Sequence, residues 1–332
     1  MKTKLFIGCS WLVLATACEV IFDNDSRYLP VRNPAALVLK NRLVSYTSSE
    51  LVYETDVLLL EIYDGWYNTF LDKEAFVFGG DAKTTVLDFQ RITSGSTGAS
   101  SSLLLMDVSG SYEQTDPYNA RSQAINKFFH DHSPPDNFLL GAFSKDGSLT
   151  TDAVEFYGDN FTTKTTTEYS RYLFELASRT GGSSSLYDAL EESIAIFSKI
   201  TNARKELVVL VHAPDAGSSA TSSAVLQKSQ TEGVRMHMIA LGNQAPVQTL
   251  ATLAHGSGGF FAACRDEKEM VCVFNQLHRL LNGDVEAYRI RVKVEFQEAL
   301  VTSNWEWMQT ISITDTQFGY EYNPAYAYIK IP

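Results

Sequence analysis

Leu103-Leu104-Leu105-Met106-Asp107-Val108-Ser109-Gly110-Ser111 is the stretch on which the fold turns. Four apolar residues in a row, without alternation, fit a strand buried on both faces. The run breaks at an aspartate and continues as a short Gly/Ser loop. A carboxylate and two hydroxyls at i, i+2 and i+4 of a tight loop are able to converge on one small hard cation, because Mg²⁺ takes oxygen ligands.

On the C-terminal side the pattern repeats. A helical segment from about Tyr118 to His130 puts Ala124, Ile125, Phe128 and Phe129 on one side. Strands are expected at Phe138 to Phe143 and Ala153 to Tyr157, then helices near 168–178 and 185–199. Leu207-Val208-Val209-Leu210-Val211 is a second wholly apolar strand. A helix at 221–232, a strand at Val234 to Leu241, a helix at 247–255, a short strand at Gly259 to Ala262 and a helix at 268–281 complete the series. Strands alternating with helices of this length indicate an α/β sheet.

Three further stretches join the first loop: Gly181-Gly182-Ser183-Ser184-Ser185-Leu186-Tyr187-Asp188-Ala189-Leu190, the strand ending at Leu241-Gly242, and Leu253 to Phe260. Their order and spacing resemble the von Willebrand factor type A domain over about residues 101–282. The resemblance implies a doubly wound, mostly parallel, Rossmann-like sheet with one antiparallel edge strand. It also implies a metal-ion-dependent adhesion site at the strand C-termini, where open α/β sheets bind ligands. Carried over, Asp107, Ser109 and Ser111 fill the first metal loop, and Ser184 stands where the family usually has Thr. The third element departs: His212 occupies the usual carboxylate slot, and imidazole suits Mg²⁺ poorly. Asp215, three residues on, either folds back into the site or leaves it weakened.

The flanks read differently. Residues 35–100 hold short β-like runs, among them Ala36 to Leu39, Leu51 to Tyr53, Val57 to Tyr63 and Val86 to Ile92, and end in the Gly/Ser run Ser94 to Ser102. In 283–332, Tyr288 to Phe296 alternates apolar and charged residues strictly, as a half-exposed antiparallel strand does. Trp305 to Ile313 and Tyr326 to Ile331 follow as two more. The α/β block is thus inserted between β-strand segments expected to pair into one β-sandwich, with Trp305, Trp307, Tyr320, Tyr322, Tyr326 and Tyr328 in its core.

Met1 to Cys18 has a basic start (Lys2, Lys4), an apolar stretch to Leu14 and small residues before Cys18. This is the order of a secretory signal, too short to span a membrane. The cysteine makes it resemble a bacterial lipoprotein lipobox, which implies removal of residues 1–17, acylation of the Cys18 thiol, and a tether over 18–34. Glu19, rather than Asp, favours the outer membrane of the cell envelope. No other stretch approaches 18 apolar residues.

Net charge of −12 over 332 residues lacks the footprint of a nucleic-acid binder. Phosphate-loop, zinc and nucleophile-elbow motifs are missing, which argues against an enzyme. His130 and His132 at a helix end, and the single histidines His237 and His255, do not read as metal ligands. Cys264 and Cys272 are spaced for a possible disulfide. The expected function is a membrane-anchored module whose Mg²⁺, or another divalent cation, takes a carboxylate from a protein partner. The alternative is a metal-independent scaffold of an envelope complex.

Overall fold

The computed structural model describes residues 36–331 apart from 60–70, 95–97, 111–115, 117–118, 132–135, 147–153, 164–168, 170, 174, 177–180, 202–203, 283–284, 298–304 and 316–319. Cys18 and the signal segment, and Ser111 of the first loop, lie outside the described residues.

In chain order the strands are β1 (Ala36–Tyr46), β2 (Glu50–Leu59), β3 (Phe76–Phe78), β4 (Lys83–Ser94), β5 (Ser100–Asp107), β6 (Asn137–Phe143), β7 (Val154–Thr162), β8 (Arg204–Val211), β9 (Val234–Leu241), β10 (Phe261–Cys264), β11 (Val285–Glu295), β12 (Glu306–Asp315) and β13 (Tyr320–Lys330). The helices are α1 (Ala120–Asp131), α2 (Leu186–Ile196), α3 (Ser222–Glu232), α4 (Val247–Ser257) and α5 (Glu267–Asn282).

A ten-stranded sheet runs β4-β11-β2-β1-β10-β9-β8-β5-β6-β7. Its β10-β9-β8-β5-β6 part is parallel, and β7 closes one edge antiparallel. The apolar runs are buried on both sides, as a parallel sheet between helices requires. Leu104 and Met106 of β5, with Val208 and Leu210 of β8, face a core built with α1 and α5. Leu103 and Leu105, with Leu207, Val209 and Val211, face the core built with α2, α3 and α4. The chain leaves β5 toward β6 on one side and later returns as β8 on the other, so the loop after β5 opens at the point where the winding reverses.

The flanking segments do pair with one another. β11 lies between β2 and β4, β12 pairs with β3, and a third core separates β1, β2, β11 and β4 from the small sheet β13-β12-β3. One layer of this sandwich is not a separate sheet, however. β1 joins β10 antiparallel through Val38 and Phe261, making the flank a continuation of the α/β sheet. The reason is that β1 is apolar on both sides: Ala36 and Val38 face the sandwich core while Leu37 reaches the core under α5. The Gly/Ser link also differs from expectation, since Ser100, Ser101 and Ser102 are buried as the first residues of β5.

The tail aromatics divide. Tyr328 is buried, but against the α2–α4 core. Trp305 and Trp307 pack half-buried on the sandwich core, ring planes 17° apart, with Phe296 edge-on to both. Cys264 and Cys272 are free thiols, which corrects the disulfide expectation. Cys264 points into the core, and Cys272 lies off the buried stripe of α5 formed by Met270, Val273, Phe274, Leu277 and Leu281.

Candidate metal and ligand site at the end of the parallel strands

Asp107 is the last residue of β5 and is fully buried. A buried carboxylate needs donors, and three loops supply them. Its Oδ1 accepts the Ser109 N–H at 2.9 Å; its Oδ2 accepts the Ser184 hydroxyl at 3.1 Å and the His212 N–H at 3.4 Å. The Ser109 hydroxyl also bonds to it. Burial raises the Asp107 pKa from its ordinary value, and the donors from Ser109, His212 and Ser184 pull the other way.

Backbone bonds lock the loops together. Gly110 N–H donates to Gly182 O and Gly181 N–H to Val108 O, both at 3.1 Å. Lys145 and Ser183 exchange two backbone bonds of 2.8 Å, and Ala216 N–H donates to Ser184 O. The hydroxyl-rich loop is thereby held against both the first and the third loops.

His212 is buried, and its Nδ1 lies 2.7 Å from Leu241 O. The carbonyl requires that nitrogen to carry the proton. Asp215 is half-buried, and its Oδ1 accepts Tyr187 N–H at 3.0 Å and the Ser218 hydroxyl at 2.5 Å. It caps the first turn of α2, whose own N-cap residue Ser185 makes no side-chain cap. Asp188 accepts the Ser219 and Ala220 N–H groups in the same way.

The structure therefore brings Asp107, Ser109, Ser184 and the His212 backbone together, and engages Asp215 at the head of α2. Among the described residues no three His, Cys, Asp or Glu side chains gather to hold a metal. The donor set at Asp107 is one carboxylate with hydroxyls. All are hard oxygens, which fits a weakly held Mg²⁺-like cation and gives no basis for a soft-metal centre.

A second polar cluster went unread in the sequence. Glu206, fully buried in β8, bonds to His237 Nε2 at 2.9 Å and to the Arg235 guanidinium, with Arg204 Nε at 3.4 Å. Phe260 N–H donates to His237 Nδ1, so that ring is neutral with its proton on Nε2. Arg204 also reaches Gly98 O and Leu281 O, tying β8 to the loop before β5 and to the end of α5. Arg235 and His237 alternate in β9 beside the one acidic residue of β8, which was the available signal.

Among the described residues no helix is long and apolar enough to cross a membrane. No protein-family model matches the chain, and no curated protein matches it. The fold is similar to several solved structures. One is a von Willebrand factor type A protein from Catenulispora acidiphila, 10% identical, covering 89% of this chain and 74% of that one, with a TM-score of 0.48. Another is proximal thread matrix protein 1 of the mussel byssus in a form with a zinc-occupied MIDAS motif, 13% identical over 61% of this chain, TM-score 0.45. This chain spans half the length of that protein. A third is the conserved hypothetical protein BatB from Bacteroides thetaiotaomicron, 7% identical, covering 54% of this chain and 98% of that one, TM-score 0.42.

Proposed function

We propose that the chain is a non-catalytic interaction module of the von Willebrand factor type A kind, anchored at the bacterial envelope through acylated Cys18. In this reading Asp107, Ser109, Ser111 and Ser184 hold a divalent cation, Mg²⁺ first among them. The observation that carries it is Asp107: a buried carboxylate at the winding reversal, facing hydroxyls from two separate loops. A bound cation supplies an open coordination position for a carboxylate of a protein partner. Asp107 supplies the charge, the three serine hydroxyls neutral oxygens, and Asp215 braces the third loop against α2. The charge is low for a divalent ion, so binding is weak and exchange ready.

One observation favours a metal-independent scaffold as the second reading. His212, in the slot where the family carries a carboxylate, is tied to Leu241 O, and Asp107 then serves to join three loops. Calorimetric Mg²⁺ titration of the wild type, Asp107→Ala and His212→Asp separates the two. The metal reading expects weak heat in the wild type, none in Asp107→Ala and tighter binding in His212→Asp. Absence of binding in the wild type and both variants establishes the scaffold instead. For the anchor, fatty-acid labelling is expected in the wild type and lost in Cys18→Ser; unchanged labelling removes the lipoprotein assignment.

A further inference from the structure

Lys145 follows β6 and sits where the loops of the candidate site meet. Its backbone bonds to Ser183, next to Ser184, and its Nζ donates to Gly217 O at 2.7 Å, within the loop that follows His212. Gly217 adopts φ +87° there, and a Cβ on it would meet the Lys145 side chain at 3.4 Å. The lysine stem therefore lies across the third loop, with its ammonium at the loop surface and two of its three donor positions uncommitted.

The carboxylates around it are already engaged. Asp107 accepts from Ser109, Ser184 and His212, Asp215 from Tyr187 and Ser218, and Asp188 from Ser219 and Ala220. Asp146, next in the chain and exposed, makes no ion pair with Lys145. Among the described residues, two exposed or half-exposed basic side chains stand on the loops at this edge, Lys145 and Arg265. Arg265 is held by Glu269 through three hydrogen bonds. Lys145, bonded to a carbonyl, is thus a cation on these loops with no carboxylate partner among the described residues, on a chain whose net charge is −12.

We propose that Lys145 is a specificity residue for an acidic protein segment, and that its ammonium pairs with a carboxylate of the partner beside the Asp107 site. The proposal deepens the interaction reading given above and rests on it for the location of the partner. It does not rest on the cation, since Lys145 serves the metal-dependent and the metal-free modes alike. A side chain that pairs with a ligand carboxylate affects affinity and its salt dependence, whereas a lysine that only pins the third loop through Gly217 O leaves the salt dependence of binding unchanged.

The test uses the whole protein and a fluorescein-labelled decapeptide rich in Asp and Glu, followed by fluorescence anisotropy in Mg²⁺ and in EDTA. Lys145→Gln is expected to weaken peptide binding about tenfold and Lys145→Glu further, while Lys145→Arg stays within about threefold of the wild type. A lysine-rich control peptide is expected not to bind. Calorimetry runs in parallel, with Lys145→Gln expected to bind Mg²⁺ at least as well as the wild type. Equal peptide affinity in the wild type, Lys145→Gln and Lys145→Glu overturns the proposal, as does a wild type that binds no acidic peptide in either buffer. Peptide binding that depends on Lys145 but not on Mg²⁺ supports it while removing the metal reading.

Discussion

Replacing Glu206 with Gln keeps the size of the side chain and removes a charge that three cations or donors surround. Burial alone raises the pKa of this carboxyl, but the hydrogen bonds from His237 and Arg235, with the positive charge of the Arg235 guanidinium, outweigh that effect and bring it from 4.5 down to about 2. That difference corresponds to about 3 kcal/mol favouring the ionised form in the fold. Glu206 has no exposed surface, so solvent screens little of it. The depressed value sets the sign. The contribution is fully present above the unfolded-state value near 4.5 and is lost as pH falls toward about 2. The variant also leaves two arginines facing a neutral amide, the costly half of breaking a buried pair. Urea unfolding at fixed ionic strength from pH 7 to pH 2 is the assay. Glu206→Gln is expected to lose about 3 kcal/mol at pH 7, and the gap to the wild type is expected to close between pH 4.5 and 2. A loss under about 1 kcal/mol at pH 7, or a gap that does not change with pH, refutes the argument.

Burial pushes His255 down to about 4. Its imidazole signals are expected to titrate near that value by NMR, and stability to fall as pH drops from 6.5 toward 4, because only the unfolded chain takes up the proton there. Gly259→Ala is expected to destabilise by about 2 kcal/mol or more in thermal unfolding, since a Cβ would stand 1.9 Å from Met236 O and backbone has to move. Thr221→Ala removes the hydroxyl that caps Ala224 N–H at the start of α3; a loss of about 1 kcal/mol by urea unfolding is expected.

The parts legible in the sequence were those set by periodicity. Leu103 to Met106 and Leu207 to Val211 read as doubly buried strands because neither run alternates, and the two cores divide each run residue by residue. Tyr288 to Phe296 read as half-exposed because Arg289, Arg291 and Lys293 alternate with apolar residues, and Arg289 and Arg291 pair with Asp56 and Glu54 on the neighbouring strand. Periodicity states which face is buried, not which strand lies alongside, so the junction of β1 with β10 was out of reach. The same limit applies to the site. Asp107 and Ser109 follow from the spacing of the loop and Ser184 from the family resemblance, and the three come together, whereas the use of Asp215 as a helix cap depends on where a loop runs in space. His237 was passed over for want of a Cys or His partner; its partner is a carboxylate one strand away.

The bridge between Val38 and Phe261 also bears on how this protein is to be dissected. Cutting out residues 100–282 would remove β1 and leave β10 as a free border. That border, Phe261-Ala262-Ala263-Cys264, has no charge, no proline and an apolar face on either side. Natural sheets guard such borders with lysines, bulges or covering segments, because bare ones pair with whatever strand arrives first. The excised block is thus a candidate for self-association through β10, and β1 acts as its built-in cover. Retaining residues 36–59 with the block keeps that border covered.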